Sequence, residues 1–287
     1  MEINFKSLRV PANYPVYPPY HTGKYLEEYF YDYYLTNKDK FDSTGYTLIP
    51  AFWTNIYNTN INRHLVQIYL NYLPKGKKYF AVSQHDDAVI EKLPEGTIHF
   101  SAGGLNGQIP IPLVCSPIPE GLMHKTSIKD ILCSFVGTVL PTCEIRNSLY
   151  NLLKNKESFY FTEKTQWSPT IPQNKLKEFI NITQRSWFTL CPRGYGLQSF
   201  RFYEALQLGS IPIFVYDIEW FPFDDTIDWS MFSVIVHKED ILRIPDIINK
   251  ISIEQRIEMI KRGKIIYENY FTLEKVCEQI TERLIKL

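Results

Sequence analysis

The stretch LCPRGYGLQSFRFYEALQLGSIPIF, residues 190–214, constrains the fold of this chain most strongly. It begins and ends with apolar runs of strand length, and a turn and an amphipathic segment of helical length lie between them. Gly194 and Gly196 allow backbone angles that end the first strand. Ser199 suits the N-cap of the helix, and Gly209 suits its C-terminal stop. The order strand, turn, helix, strand predicts a parallel α/β sheet.

The charged residues of this stretch suit a bound phosphate. In open α/β sheets, ligands bind at the carboxyl ends of strands, where a helix N-terminus also offers free N–H groups. Arg193 lies in the turn and Arg201 in the first helical turn, and guanidinium groups bind phosphate oxygens through paired hydrogen bonds. Glu204 could accept hydrogen bonds from ribose hydroxyls. Spacing alone favours a surface ion pair between Arg201 and Glu204, and the glycine turn with its own arginine gives the phosphate site equal support.

The rest of the sequence alternates strand and helix patterns. Strand patterns occupy 46–57 (a strand and a loop), 77–87, 96–102, 109–114, 129–139, 187–192, 211–216 and 232–237. Helical patterns occupy 23–35, 61–73, 143–155, 175–186, 200–208 and the tail 253–287. This alternation predicts two parallel-sheet α/β domains. We expect the first over 1–125 and the second over 126–270, with a C-terminal helix over 271–287 that could pack back on the first domain.

Charge and cysteine content argue against several classes of protein. Lys and Arg number 31 and so do Asp and Glu, so the chain lacks the basic excess typical of a general nucleic-acid-binding protein. The five cysteines show no metal-ligand spacing, which predicts reduced, mostly buried thiols rather than a disulfide framework. The sequence contains no apolar run long enough for a transmembrane helix and no signal-peptide pattern at its N-terminus.

Residues 190–214 resemble the signature of the exostosin-type glycosyltransferases, glycosyltransferase family 47. Members typically read Leu-Cys-Pro-Arg-Gly, then Ser-x-Arg, then Glu-Ala-hydrophobic-x-x-Gly-x-Ile-Pro. Three further segments are similar to the family: LIPAFWTNIY to its aromatic N-terminal strand, FAVSQHDDAV to its His-Asp segment, and ILCSFVGTV with EIRNSLYNLL to the start of its C-terminal domain. Together the segments cover most of the chain in collinear order.

The resemblance implies an α/β protein of GT-B fold, in which two Rossmann-like domains face a cleft. The C-terminal domain would hold a nucleotide sugar and the N-terminal domain the acceptor. The residues that it assigns to the donor are Arg193 and Arg146 on the diphosphate, Glu204 on the ribose, and Ser199, Arg201, Gly194 and Tyr195 beside them.

Family members are usually inverting, metal-independent enzymes that use UDP-sugars. The resemblance therefore implies transfer of a sugar from UDP-xylose, UDP-glucuronate, UDP-galactose or UDP-N-acetylglucosamine to a hydroxyl of a glycan or glycoprotein acceptor. The sequence has no Asp-x-Asp metal motif, and arginines can stabilise a leaving diphosphate in place of a cation. We expect no metal and no cofactor beyond the nucleotide sugar.

The chain departs from the family members that are anchored in the Golgi membrane, because it shows neither an anchor nor a stem. It also shows no second glycosyltransferase domain of the kind found in the heparan-sulfate polymerases. We therefore expect a compact, soluble, cytoplasmic enzyme, working in a host cytoplasm if it is virus-encoded, and we do not expect heparan polymerisation.

An inverting transfer needs a general base that deprotonates the acceptor hydroxyl. The candidates follow the strand pattern at 77–87: Asp86 is the first choice, His85 the second, and Asp87 lies beside them. The alternative is that Asp86 or Asp87 caps the following turn, a common role for aspartate. His21 and Glu27, in the early tyrosine-rich segment, are further candidates for residues of the cleft.

Other side chains could contact the sugars, although a structural role explains each of them as well or better. They are the aromatic residues Trp53, Tyr57, Trp167 and Trp220 on the acceptor side, and Asp224 and Asp225 on the donor side. Two other functions stay open. The chain could use a GDP-sugar, as a fucosyltransferase does, which the nucleobase pocket would decide. It could also be a catalytically silent carbohydrate-binding protein, which predicts a damaged phosphate motif.

Overall fold

A computed structural model describes residues 5–10, 24–124, 128–139, 144–164 and 171–287. The described residues divide into two compact units. The first unit combines Met1–Ser116, Trp220–Pro222 and Tyr270–Leu287, and the second combines Pro117–Glu219 and Phe223–Asn269. Each unit has its own parallel sheet accompanied by helices. The predicted α/β class with two Rossmann-like units is therefore confirmed.

The strands form two sheets. The sheet of the first unit has the order β1-β2-β3-β4, with β1 (Tyr46–Leu48), β2 (Lys78–Ser83), β3 (Ile98–Ser101) and β4 (Ile109–Pro110). The sheet of the second unit has the order β6-β5-β7-β8-β9, with β5 (Ile131–Thr138), β6 (Phe159–Lys164), β7 (Ser186–Pro192), β8 (Ile211–Tyr216) and β9 (Val234–His237). All of these neighbouring strands pair in parallel. Parallel pairing requires crossover connections, and helices supply most of them.

The α-helices are α1 (Leu26–Thr36), α2 (Lys38–Thr44), α3 (Trp53–Thr59), α4 (Arg63–Asn71), α5 (Glu144–Leu153), α6 (Gln173–Arg185), α7 (Phe200–Gln207), α8 (Ile244–Asn249), α9 (Ile253–Tyr270) and α10 (Leu273–Lys286). Helix α10 shows how sequence spacing determines packing. Its apolar residues Val276, Cys277, Ile280 and Leu284 recur at helical spacing and are buried. They belong to the face of α10 that packs on α1 and α2 in the first unit.

Strand patterns in the second unit reflect burial on both faces of its sheet. In β7 and β8, consecutive residues such as Leu190, Cys191, Ile213 and Phe214 are almost completely buried. A strand of a parallel sheet covered by helices reads as a continuous apolar run instead of an alternating one. The hydrophobic core of the second unit contains Phe135, Ile213 and other apolar side chains of these central strands.

Several sequence predictions about elements are wrong in detail. The pattern at 46–57 is a short strand followed by α3, because Trp53, Ile56 and Tyr57 recur at helical spacing and are buried on one side. The strand predicted at 109–114 has two paired residues, and its prolines cannot donate to a ladder. Strand β6, at the edge of the second sheet, was not predicted.

Cys115, Cys133, Cys191 and Cys277 are buried thiols that form no disulfide bond, as predicted, and Cys143 lies outside the described residues. Burial raises the pKa of the Cys133 and Cys277 thiols well above the ordinary value. In the part of the chain that the structure describes, no helix has both the length and the apolar character of a membrane span.

Candidate functional site

The order of strands in the second sheet identifies one place suited to ligands. The chain starts this sheet at β5, goes to β6 on one side, and then continues through β7, β8 and β9 on the other side. The direction of winding therefore changes between β5 and β7. Ligands of open α/β sheets bind at the carboxyl ends of the strands at such a switch point. The turn after β7 lies there.

This turn connects β7 to α7 as the sequence predicted. The Gly194 N–H donates to the Gln198 carbonyl at 3.4 Å and closes the turn. Ser199 is the N-cap of α7 and is extended, with φ −145°, but its side chain makes no capping hydrogen bond. The helix ends at Gln207, and Gly209 has φ +68°, a left-handed conformation that glycine adopts without strain. The turn thus presents its backbone at the helix N-terminus.

Arg193 forms a bidentate ion pair with Asp217. Its Nε and Nη2 donate to the two carboxylate oxygens at 2.6 and 2.7 Å, and Nη1 donates to the Gly194 and Tyr195 carbonyls at 3.2 and 2.9 Å. Burial acts to raise the pKa of Asp217, but the hydrogen bonds and charge of Arg193 outweigh it and the pKa is lowered. Because Asp217 directly follows β8, this pair joins the ends of β7 and β8 and shapes the turn.

Arg146 spans the switch point. It lies in the first turn of α5, and its Nε donates to the Arg193 carbonyl at 3.2 Å while Nη1 donates to the Thr138 carbonyl at 3.3 Å. These carbonyls lie at the carboxyl ends of β7 and β5. A Cβ atom added to Gly194 would be 3.2 Å from Nη2 of Arg146, so the absence of a side chain there lets the guanidinium approach the turn. The structure thus brings Arg146, Arg193 and Gly194 together.

Arg201 is held by the backbone of β5. Its Nε and Nη2 donate to the Val136 carbonyl at 3.1 and 2.8 Å, and the guanidinium carbon lies 4.7 Å from the centroid of the Phe135 ring. A Cβ atom on Gly137 would be 2.2 Å from Nη2, so only glycine leaves room for this contact. The Nη1 atom of Arg201 is buried without a hydrogen-bond partner. Arg201 therefore connects the N-terminal turn of α7 to the backbone of β5.

Arg201 and Glu204 do not form the surface ion pair that their spacing favoured, so that prediction is wrong. Arg201 contacts Val136, and Glu204 is only 3% exposed. Burial raises the pKa of the neighbouring Cys191 thiol; the Arg201 charge opposes this effect and the Glu204 charge adds to it. Glu204 therefore lies in the interior, near the last residues of β7, while Tyr195 in the turn is 68% exposed.

A second polar turn, His85–Asp87, follows β2 in the first unit. The Ala88 N–H donates to the His85 carbonyl at 2.8 Å, and Ala88 has a strained φ of +58°. A Cβ atom on Gly103 would be 2.0 Å from the His85 carbonyl oxygen and 2.6 Å from Asp86 Cα. Backbone thus packs on backbone, which fixes the position of Asp86.

The protonation of His85 follows from its contacts. Its Nδ1 accepts the Asp87 N–H at 3.2 Å, and its ring lies edge-on to Tyr57 with 4.9 Å between ring centroids. Burial lowers the pKa of His85, the Asp87 charge opposes that effect, and the Arg63 charge adds to it. A neutral ring whose Nδ1 accepts a hydrogen bond carries its proton on Nε2. To take a proton on Nδ1, His85 would have to give up this hydrogen bond, which favours Asp86 over His85 as the candidate base.

Glu27 lies under the same turn and is 5% exposed. Its carboxylate accepts the Gln84 N–H at 2.7 Å, the Thr54 N–H at 3.0 Å and the Thr54 hydroxyl at 2.9 Å. Burial raises the pKa of Glu27 to about 7, although these hydrogen bonds act to lower it. Phe52, the N-cap of α3, has no side-chain acceptor, so Glu27 caps this helix and also holds the residue before His85. Because three protein donors already occupy its carboxylate, Glu27 positions the residues around it.

The remaining candidates divide by burial. Trp53 and Tyr57 are buried in the hydrophobic core of the first unit, which identifies them as packing residues. Trp220 is partly buried, and its indole N–H has no hydrogen-bond partner. Asp224 and Asp225 are exposed. His21 and Trp167 lie outside the described residues.

Comparison with known proteins finds similarity to exostosins and to another glycosyltransferase. Residues 97–251 match the Exostosin GT47 domain. Exostosin-1 of Drosophila melanogaster is 32% identical over 158 residues, which are 49% of this chain and 21% of the relative. A probable glycosyltransferase of Arabidopsis thaliana is 31% identical over 170 residues, which are 59% of this chain and 28% of the relative. The matched part is therefore less than a third of each relative's length.

The solved structures that resemble this chain share little sequence identity with it and have low TM-scores. An alpha1,3-fucosyltransferase shares 14% sequence identity with a TM-score of 0.42, over 77% of this chain and 75% of that one. A likeness of this size does not bear on the donor or the mechanism.

Proposed function

The chain belongs to the exostosin GT47 family of glycosyltransferases, and from this premise we propose that it transfers a sugar from a UDP-sugar to a hydroxyl of a glycan acceptor, with inversion and without a metal ion. The observation that carries this proposal is the bridge that Arg146 makes between the ends of β5 and β7. It places a guanidinium at the switch point of the sheet, where nucleotides bind in open α/β folds.

On the donor side, Arg146 and Arg193 bind the diphosphate and Glu204 binds the ribose. The three arginines of the site outnumber Asp217 and Glu204, so positive charge remains in excess even with both carboxylates ionised. The N-terminus of α7 adds its partial charge and its backbone N–H groups. Fixed positive groups of this kind stabilise the charge that develops on a departing diphosphate.

On the acceptor side, Asp86 is the general base. Its carboxylate takes the proton of the acceptor hydroxyl as the oxygen attacks the anomeric carbon and the bond to the diphosphate breaks. His85 is the weaker candidate because its Nδ1 already accepts a hydrogen bond from Asp87. Glu27 contributes indirectly by holding the Gln84 N–H immediately before this turn.

The proposal is tested by measuring nucleotide release with EDTA present, from each of UDP-xylose, UDP-glucuronate, UDP-galactose, UDP-N-acetylglucosamine and GDP-fucose, against a panel of glycan acceptors. We expect turnover of a UDP-sugar, and an Arg146→Gln variant should lower it by about a hundredfold. Arg185→Gln, which alters an exposed arginine of the same unit, is the control. Turnover of GDP-fucose alone would identify a GDP-sugar enzyme, and no turnover with any donor would favour a silent carbohydrate-binding protein.

A further inference from the structure

A cavity of about 490 Å³ opens at the opposite edge of the second sheet, among the first residues of its parallel strands. Ile131 of β5, Phe159 of β6 and Trp187 of β7 line it, together with Lys129 just before β5 and Arg256 of α9. Because the strands are parallel, this amino edge is separated from the turn at Arg193 by the length of the strands. The volume is in the range of small-molecule sites.

Lys129 places a positive charge at this cavity without a carboxylate partner among the described residues. Its ammonium group donates to the Ser186 carbonyl at 2.8 Å and to the Gly209 carbonyl at 2.6 Å. An ammonium group has three N–H donors, so these two bonds leave one. Burial lowers the pKa of Lys129 to about 8, which leaves the side chain mostly charged at neutral pH.

Arg256 brings a second positive charge to the same cavity. Its Nε donates to the Ile251 carbonyl and its Nη2 to the Ile248 carbonyl, both at 3.0 Å. The guanidinium carbon lies 5.7 Å from the centroid of the Trp187 ring and 5.3 Å from that of Phe188. Neutral carbonyls and rings hold this group in place and leave its charge uncompensated.

The carboxylate that lines the cavity does not neutralise these two cations. Asp130 is paired with Arg185, whose Nε donates to it at 2.8 Å. The hydrogen bond from Arg185 lowers the pKa of Asp130, and the Arg185 charge contributes in the same direction. The lining therefore has a net positive charge.

The rest of the lining includes aromatic residues, an amide and a strained backbone position. Phe159, Tyr160 and Trp187 supply aromatic rings, and Asn249 supplies an amide. Ser158, also in the lining, has φ +69°, a left-handed conformation that costs a residue other than glycine free energy. Strain of this kind concentrates where a fold holds a ligand site.

We propose that this cavity is a second binding site, separate from the donor site, for a sugar that carries a phosphate or carboxylate group. The anionic group would lie between Lys129 and Arg256, since both cations reach the cavity with their charge uncompensated. The sugar ring would lie against the aromatic faces, and the hydroxyls would meet the Asn249 amide and the Ser158 hydroxyl. The site does not depend on the proposed transfer reaction.

The test is calorimetric titration of the full chain with glucose 6-phosphate, glucuronate and neutral glucose. We expect at least one of the two anionic sugars to bind below about 10 mM, and glucose to bind more weakly. The two anions distinguish a phosphate site from a carboxylate site, and binding of either one supports the proposal when it depends on Lys129 and Arg256. Absence of binding by both of them would overturn it.

Variants locate the binding. Lys129→Met and Arg256→Gln should each weaken it by about tenfold, and Lys250→Met, which removes an exposed cation beside Asn249, should leave it unchanged. Because two independent variants are used, a folding defect in one of them does not invalidate the test. A thermal melt of each variant checks that it is folded. Arg193→Ala should retain full binding. Loss of binding in Arg193→Ala with retention in Lys129→Met and Arg256→Gln would place the ligand in the donor site and overturn the proposal.

Discussion

At the scale of single residues, the arginines of the site have different roles. Arg193 is paired with Asp217, Arg146 bridges two strand ends, and Arg201 is bound to the Val136 carbonyl. An arginine held by fixed acceptors does not have to be ordered when a ligand arrives, which lowers the entropic cost of binding. The proposed diphosphate site is therefore preorganised by its own protein partners.

The Arg193–Asp217 pair should contribute measurably to stability. Both side chains are mostly buried, and removal of one partner leaves the other charge without compensation. In a double-mutant cycle with Arg193→Gln and Asp217→Asn, urea unfolding should give a coupling free energy of about 1–3 kcal/mol.

The Arg185–Asp130 pair is the matched control, because it has the same bidentate geometry at an exposed position. The control pair should couple more weakly, since solvent screens exposed charges. Equal coupling in the two pairs would contradict the role given to Asp217.

Gly137 should be intolerant of a side chain. The added Cβ atom of Gly137→Ala would be 2.2 Å from Nη2 of Arg201, so the guanidinium would have to leave the Val136 carbonyl. Urea unfolding should show a loss of about 1–3 kcal/mol. Gly121→Ala is the control, because no atom lies within 4 Å of its added Cβ atom. A Gly137→Ala protein as stable as the control would show that Arg201 is not held as described.

Asp86→Asn should separate catalysis from donor binding. If Asp86 takes the acceptor proton, its amide variant should lower kcat by about a hundredfold or more and leave the Kd for UDP unchanged. Asp39→Asn, at an exposed position of the same unit, is the control. An Asp86→Asn enzyme with normal kcat would exclude Asp86 as the base and leave Asp87 to be examined next.

At the scale of elements, Glu27 joins α1, α3 and the end of β2. It caps α3 through Thr54 and holds the Gln84 backbone just before the polar turn. A single buried carboxylate therefore fixes the position of the segment that carries Asp86. The same burial makes this part of the fold sensitive to pH.

The pKa of Glu27 predicts a pH dependence of stability. The folded pKa is raised from 4.5 to about 7, so the folded state binds a proton that the unfolded state has already lost. The free energy of unfolding should therefore fall as pH rises from 4.5 to 7, by about 3 kcal/mol from this group, and level off above 7. Urea unfolding at several pH values in this window measures it.

The Glu27→Gln variant should remove this decline, because an amide does not titrate. Glu28→Gln, at the next position of α1, should retain it. A decline that persists unchanged in Glu27→Gln would mean that other groups cause it.

Local patterns were sufficient to predict the turn between β7 and α7, since glycines, an N-cap residue and apolar runs are signals within one segment. Contacts between distant segments were not predictable in this way. Asp217 is a single acidic residue after a strand, and only the parallel register of β7 and β8 brings it to Arg193. The sequence does not predict β6 because three consecutive aromatic residues and then three polar ones, Phe159–Lys164, give no strand-like alternation.

At the scale of the whole molecule, the chain places its two kinds of candidate residue on two separate α/β units. The first unit holds the polar turn with Asp86, and the second holds the arginines of the proposed donor site. The last helix, α10, returns to the first unit, because its apolar face matches α1 and α2. The matched domain, residues 97–251, includes most of the second unit.

The most direct test of the account is calorimetric titration of the full chain with UDP in the presence of EDTA, with GDP in parallel and with Arg193→Ala as the variant. We predict that UDP binds to the wild type under chelation more tightly than GDP does, and that Arg193→Ala weakens UDP binding by at least about tenfold. UDP binding that requires a divalent cation would contradict the metal-independent site. Binding of GDP alone, or UDP binding unchanged in Arg193→Ala, would contradict the assignment of the donor or of its site.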